Sequence, residues 1–159
     1  MCECHANYPS CICALWCVEF LMRVMAIDYG DARTGVAVSD MSAVLAGDAW
    51  VISEKDLNSV VRAIAEQAVL RNVRTIVVGY PKNMNGSIGP RAEKSELLVE
   101  MLRSQCDIEV VLWDERLTTM SAHRILTDTG RHGKKRKKTI DAVAASLILE
   151  SYLAHKEQC

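Results

Sequence analysis

The chain has 159 residues, half of them hydrophobic and a quarter charged, with a formal net charge of -1. Such a length suffices for one domain with a sizeable core, and no apolar run approaches the roughly 18 to 20 residues of a membrane span. The charge is uneven, because 6 of the 19 Lys and Arg residues lie between Arg131 and Lys138. We therefore expect a soluble single domain with one basic patch on an acidic body, and no membrane partner.

The first 21 residues differ from the rest in composition. They hold five of the seven cysteines, Cys2, Cys4, Cys11, Cys13 and Cys17. Their C-x-C spacing is not the C-x2-C spacing of structural zinc modules, which disfavours a metal site. A secretory signal is also disfavoured, because no Lys or Arg precedes Arg23 and Glu19 interrupts the apolar stretch. We interpret residues 1–21 as an appendage before a functional start at Met22, with residues 22–159 as the domain, and we predict a cytoplasmic location.

Residues 23–40 predict a β-hairpin that presents an aspartate. Val24 to Ile27 form an uninterrupted apolar run, typical of a strand buried on both faces of a covered sheet. Asp28 follows this run, and a turn-rich segment containing Gly30 leads into a second apolar run, Val36 to Val38. Taken alone, Asp28 is as compatible with a turn residue that bonds its own backbone as with a functional role.

The remaining elements alternate between strand and helix. Hydrophobic periodicity predicts strands at 49–52, 75–78 and 108–113, and helices at 57–71, around 97–102, at 118–126 and from Thr139 onward. A hairpin meander followed by β-α-β-α-β implies a mixed five-stranded sheet, in which strands 1, 4 and 5 are parallel and helices cover both faces. The predicted fold class is therefore α/β.

Acidic residues are predicted to converge at one edge of this sheet. Asp28, the loop after Gly79 and the pair Asp114-Glu115 follow the three parallel strands, at the ends where open α/β sheets bind ligands. Asp141, placed in the first turn of the last helix, can reach the same edge, although the helix dipole also explains an aspartate there. A surface ion pair with Arg116 would likewise explain Glu115. Such carboxylates suit Mg²⁺ or Mn²⁺, and two ions can activate water against a phosphodiester.

Several short motifs occur in order along the chain, and each of them is weak alone. They are Asp28-Tyr29-Gly30, Gly35 to Ala37, Asn83 to Gly86, Asp114 to Thr119, the Lys134 to Lys138 run and Ile140 to Ala142. Together they resemble the YqgF (RuvX-like) family of pre-16S rRNA nucleases and Holliday junction resolvases, which has an RNase H-like fold. The resemblance extends from about Met22 to the end of the chain, and residues 1–21 have no counterpart in the family pattern.

The resemblance implies roles for individual residues. Asp28, Glu115 and Asp141 correspond to the catalytic acids of the family, which hold divalent metal ions. The expected nucleic-acid contacts are Arg33, Asn83, Asn85, Arg116, Lys134, Lys135, Arg136, Lys137 and Lys138. The implied cofactor is Mg²⁺ or Mn²⁺, as two ions.

The implied function is a metal-dependent nuclease that matures the 5′ end of pre-16S rRNA in ribosome biogenesis, with resolution of Holliday junctions in DNA recombination and repair as the alternative. Its partners would be an rRNA precursor or branched DNA and a pre-ribosomal particle. The chain would act as a monomer or homodimer.

Two other interpretations remain open. The Asp-x-Gly hairpin is also similar to the phosphate-binding hairpin of actin-like ATPases and sugar kinases, but those enzymes need two such domains and this chain holds one. A non-catalytic nucleic-acid-binding module would explain the basic run without any chemistry. The chain contains neither a G-x-x-x-x-G-K-[ST] loop nor a G-x-G-x-x-G turn, so a P-loop enzyme or a dinucleotide-binding protein is not indicated.

Overall fold

A mixed β-sheet forms the centre of the computed structural model, which describes residues 22–82, 88–114 and 134–156, with the backbone alone for 134–139. The described residues form five strands: β1 (Arg23–Tyr29), β2 (Thr34–Ser39), β3 (Ala46–Ile52), β4 (Val73–Tyr80) and β5 (Glu109–Asp114). They also form three helices: α1 (Leu57–Leu70), α2 (Pro90–Gln105) and α3 (Lys134–Lys156). No helix among the described residues is long and apolar enough to cross a membrane.

The order of the strands in the sheet is β3-β2-β1-β4-β5. The first three strands form an antiparallel meander, whereas β1 pairs in parallel with β4, and β4 in parallel with β5. The mixed sheet predicted from the sequence is therefore confirmed. Because β1, β4 and β5 are parallel, their last residues meet at one edge of the sheet, where Tyr80 is the partner of Asp114. We call this the carboxyl edge.

The two faces of the sheet are covered by different helices. Alternate residues of β1 point to opposite faces, so Met25 and Ile27 pack in the core formed with α1 and α2, while Val24 and Ala26 pack against α3. All four of these side chains are almost completely buried. Asp28 follows Ala26 by two positions, so the same alternation directs it to the α3 face of the sheet.

The last helix begins earlier than the sequence analysis predicted. It starts at Lys134 rather than Thr139, so the basic run is helical and not a loop. Lys and Arg are good helix formers, and no Gly or Pro interrupts the chain after Gly133. Asp141 therefore lies seven residues into α3 rather than in its first turn. Because the influence of the helix dipole fades within that turn, it no longer explains an aspartate at this position.

Some predicted features lie outside the described residues. They are the appendage at 1–21, the short helix at 118–126, and the site residues Asn83, Asn85, Glu115 and Arg116. The side chains of Lys134 to Lys138 also lie outside the described part of the structure. All of these stay predictions.

Candidate active site

Gly35 allows α3 to approach the hairpin that carries Asp28. Gly35 is the direct cross-strand partner of Asp28 in the β1–β2 pair. A Cβ atom at Gly35 would lie 2.0 Å from the backbone carbonyl oxygen of Asp141 and 3.4 Å from the Cβ of Ala145, which is fully buried. No residue with a side chain would fit there without displacement of the helix. Because position 35 is a glycine, Asp141 can lie against the β1–β2 pair, next to the position of Asp28.

The two aspartates interact electrostatically across this contact. Burial raises the pKa of Asp28 above its usual range, and the nearby charge of Asp141 raises it further. The positive charge of Arg91 opposes both of these effects and lowers the pKa of Asp28. The site therefore places two like charges close together in a partly buried position, which favours the binding of a cation between them.

Arg33 is the ion-pair partner of Asp141. Its Nε atom lies 3.3 Å from Oδ2 of Asp141, and the two side chains are 26% and 29% exposed. Arg33 belongs to the turn between β1 and β2, in which the N–H of Gly30 donates a hydrogen bond of 3.1 Å to the carbonyl oxygen of Arg33. The residue predicted to contact nucleic acid therefore lies against one of the predicted catalytic acids.

Further cationic side chains surround the carboxyl edge. Lys94 of α2 pairs with Asp31 in the β1–β2 turn. The Nζ of Lys82, which follows β4, is 3.9 Å from Oδ2 of Asp114 at the end of β5. Together with Arg91 in the first turn of α2, Lys82 and Lys94 form a row of cationic side chains at the carboxyl edge, the cationic rim, in which both lysines are paired with aspartates. Phosphate groups bind well to such an arrangement.

Three cationic residues at this edge were not predicted from the sequence, namely Lys82, Arg91 and Lys94. The sequence does contain a signal for the start of a helix at this point. Pro90 follows Gly89, and proline is favoured at the first position of a helix. A helix that starts at Pro90, after a parallel strand, begins at the carboxyl edge and brings Arg91 and Lys94 with it.

Comparison with known sequences identifies the family. Residues 22–155 match the family described as "RuvX: Holliday junction resolvase". The chain belongs to the RuvX family. Two similar proteins come from Halothermothrix orenii, 44% identical over 86% of this chain and 98% of its own length, and Caldanaerobacter subterraneus, 48% identical over 83% and 96%. Both are named "Putative pre-16S rRNA nuclease". The predicted class, a nuclease, is confirmed by this membership.

Comparison with solved structures supports the same fold for this RuvX-family chain. Thermus thermophilus RuvC in complex with a Holliday junction substrate aligns with a TM-score of 0.58 and 12% identity, over 85% of this chain and 96% of RuvC. The Fowlpox virus resolvase bound to Holliday junction DNA aligns with a TM-score of 0.52 and 13% identity, over 85% and 99%. At such low identity the alignments show the fold alone, and they confirm the predicted RNase H-like architecture.

The metal site predicted for the RuvX-family chain is only partly within the described residues. Among these residues, no group of three or more His, Cys, Asp or Glu side chains is suited to hold a metal ion. Asp28 and Asp141 come together, whereas the third predicted acid, Glu115, lies outside them. Mg²⁺ is commonly held by one or two carboxylates, with water and substrate phosphates completing its shell. The two aspartates are therefore compatible with a hard divalent cation.

Proposed function

We propose that this protein is a divalent-cation-dependent nuclease that hydrolyses phosphodiester bonds in structured RNA at the carboxyl edge, with the 5′ end of pre-16S rRNA as its substrate. The observation that carries the proposal is the approach of Asp141 to Asp28, which Gly35 makes possible. The choice of substrate is supported by relatives that are 41–48% identical and carry the name of that activity.

The three acids have one shared task in this proposal. Asp28 and Asp141, joined by Glu115, hold Mg²⁺ or Mn²⁺ as two ions. Bound there, the ions supply an activated water and stabilise the negative charge of the leaving oxygen. Asp28 is suited to the task because burial and Asp141 both disfavour its charged form in the metal-free protein. A cation therefore relieves a cost that is already present in the fold.

The cationic residues position the nucleic acid. Arg33 is paired with Asp141, and Arg91 acts on the charge of Asp28. Lys82 lies at the same edge, beside Asp114. There, these three side chains can contact phosphates on both sides of the bond to be cleaved. The run from Lys134 to Lys138 precedes Asp141 in the same helix, and it is included among the proposed nucleic-acid contacts. Asn83, Asn85 and Arg116 stay predicted nucleic-acid contacts in this proposal.

A cleavage assay with a matched control tests the function. Wild-type protein, Asp28→Asn and Asp48→Asn would be incubated with a pre-16S 5′ precursor RNA, a four-way DNA junction and single strands, in Mg²⁺ or Mn²⁺. Asp48 is the control because its ion pair with Arg71 lies at the opposite end of the strands. We expect wild type and Asp48→Asn to cut the RNA, and Asp28→Asn to bind it without cutting.

Two results would overturn the proposal. Cleavage by Asp28→Asn at the wild-type rate would show that Asp28 is not part of the active site. Wild-type protein that binds these nucleic acids but cuts none of them in either cation would favour the non-catalytic binding module.

A four-way DNA junction is the second candidate substrate. It is favoured by the description of the family as Holliday junction resolvase and by the likeness to RuvC, which was solved with a junction bound. The same assay separates the two candidates, because cleavage of the junction at a rate above that of the RNA would assign the protein to DNA recombination and repair. A pre-ribosomal particle as partner, a cytoplasmic location and a monomeric or homodimeric state complete the proposal for RNA.

A further inference from the structure

Each of the two central aspartates has its own cationic neighbour. Arg33 is in direct contact with Asp141, with 3.3 Å between Nε and Oδ2. Arg91 is the strongest positive influence on Asp28 and offsets part of the effect of burial. Arg33 and Arg91 thus reduce the repulsion between the two aspartates. The guanidinium of Arg33 thus serves the metal-free protein as the counter-ion of Asp141.

The contact between Arg33 and Asp141 is of a kind that exchanges readily. Both side chains are more than a quarter exposed, and ion pairs at such positions contribute little to stability. A divalent cation attracts a pair of carboxylates more strongly than a monovalent guanidinium does at similar distance. It would also repel the guanidinium. A divalent cation and Arg33 therefore compete for the carboxylate of Asp141.

The turn around Arg33 limits where the released side chain can go. Its backbone is held by the hydrogen bond from Gly30, and the ion pair between Asp31 and Lys94 attaches the turn to α2. Arg33 has a long side chain on this fixed backbone, so the guanidinium can leave Asp141 and still remain at the carboxyl edge. Guanidinium groups bind phosphate with two parallel hydrogen bonds, which suits a new position beside the nucleic-acid backbone.

We propose that Arg33 is an exchangeable residue, which pairs with Asp141 in the metal-free protein and transfers to a phosphate of the nucleic acid when Asp141 binds a divalent cation. The inference rests on the proposed function and adds a coupling to it. Binding of the cation and binding of nucleic acid then strengthen each other through one side chain, and by thermodynamic linkage the effect is equal in both directions.

Metal binding without nucleic acid gives the first test. The affinity for Mn²⁺ would be measured by electron paramagnetic resonance of the free ion for wild type, Arg33→Gln and Arg71→Gln. Arg71 is a matched control, since it is 28% exposed and forms an ion pair of 2.9 Å with Asp48 away from the carboxyl edge. We expect Arg33→Gln to bind Mn²⁺ about three- to tenfold more tightly than wild type. The substitution removes a guanidinium that competes with the cation for Asp141 and that also repels the cation. Arg71→Gln should equal wild type.

Nucleic-acid binding gives the second test. A fluorescein-labelled pre-16S 5′ precursor RNA would be mixed with each protein, and anisotropy would be recorded in a stopped-flow instrument before cleavage, with and without Mn²⁺. Mn²⁺ should strengthen RNA binding by wild type and by Arg71→Gln, and this gain should be at least halved in Arg33→Gln. Arg33→Lys keeps the charge, so its Mn²⁺ affinity should stay closer to that of wild type. Thermal midpoints would establish that all variants are folded.

The outcomes separate this inference from the proposed function. If wild type binds Mn²⁺ and Asp28→Asn does not, the metal site stands, and equal Mn²⁺ affinity of Arg33→Gln and wild type then overturns the exchange alone. An equal gain in RNA affinity with Mn²⁺ in both proteins would also overturn it. If wild type binds no Mn²⁺ at all, the proposed metal site is wrong and the exchange is wrong with it.

Discussion

Gly35 lies so close to Asp141 that a single Cβ atom would come within 2.0 Å of the Asp141 carbonyl oxygen. The contact joins the start of β2 to α3, and it fixes where the helix crosses the sheet. Gly35 is also the cross-strand partner of Asp28. One glycine therefore determines both the packing of the last helix and the approach of the two aspartates.

Substitution of Gly35 tests this relationship. Gly35→Ala should lower the free energy of unfolding by about 1 to 3 kcal/mol, the usual cost of forcing extra volume into a packed contact. Chemical denaturation would measure it. Gly47→Ala is the control, because its added Cβ would lie 3.0 Å from the Val38 carbonyl oxygen in an exposed part of β3. A loss no larger than that of Gly47→Ala would mean that α3 adjusts freely at this position.

The ionisation of Asp28 should make the metal-free protein sensitive to pH. Because the pKa of Asp28 is raised in the fold, the folded state holds the proton more tightly than the unfolded chain does. The stability contributed by this proton is fully present below the ordinary pKa of 3.8 and is lost as the pH rises through the higher folded value. Asp28→Asn should therefore raise the thermal midpoint in EDTA at pH 7.

The same measurement repeated at lower pH gives a control for this prediction. The advantage of Asp28→Asn should shrink as the pH falls through the folded pKa of Asp28, and it should disappear below about 3.8. A constant difference between the two proteins across this range would show that the substitution acts through packing and not through charge.

Two neighbours should move the pKa of Asp28 in opposite directions. Asp141→Asn should lower it, because a like charge is removed, and Arg91→Gln should raise it, because a favourable charge is removed. Nuclear magnetic resonance of the labelled carboxyl carbon would follow the titration directly. If neither variant changed the titration, Asp28 would be governed by burial alone, and the two aspartates would not form a common site.

The basic run should contribute to affinity through phosphates. Lys134, Lys137 and Lys138 lie seven, four and three residues before Asp141, on the face of α3 that Asp141 shares. If the whole run neutralises about four phosphates, the logarithm of the association constant should fall linearly with the logarithm of the salt concentration, with a slope of roughly -3 to -4. Changing these three residues to Ala should flatten the slope by about 2 to 3 units on duplex substrates. Alanine preserves the helix, since it is the best helix former.

A triple variant elsewhere controls for net charge. The control residues Lys55, Arg62 and Arg74 are all exposed. Lys55 and Arg62 lie just before and within α1, which covers the face of the sheet opposite to α3, and Arg74 lies near the start of β4, at the end away from the carboxyl edge. Their replacement by Ala removes the same charge and should leave the slope nearly unchanged. At saturating substrate the Lys134, Lys137, Lys138 variant should recover much of its cleavage rate, because the run acts on affinity rather than on chemistry. Equal slopes in both triple variants would contradict a role for the basic run and would indicate Arg33 and the cationic rim as the nucleic-acid contacts.

Local sequence patterns were sufficient to predict the sheet. The apolar run of β1, the turn chemistry after Asp28 and the alternation of strands with helices are each short-range signals, and together they predicted the strand directions that are observed. The same signals placed Asp28 and Asp114 at the carboxyl edge, since the ends of parallel strands must meet there. The sequence by itself therefore determined the architecture and the edge of the sheet at which the candidate site lies.

The partners of the site residues were decided only by the tertiary structure. The ion pair between Arg33 and Asp141 joins segments far apart in sequence, and the angle at which α3 crosses β2 determines whether they meet. Periodicity reports which face of a helix is buried, but it carries no information on that crossing angle or on how far α3 extends through the basic run. Gly35 was visible in the sequence, yet its role depends on a backbone atom of Asp141 that reaches it only after the two layers pack.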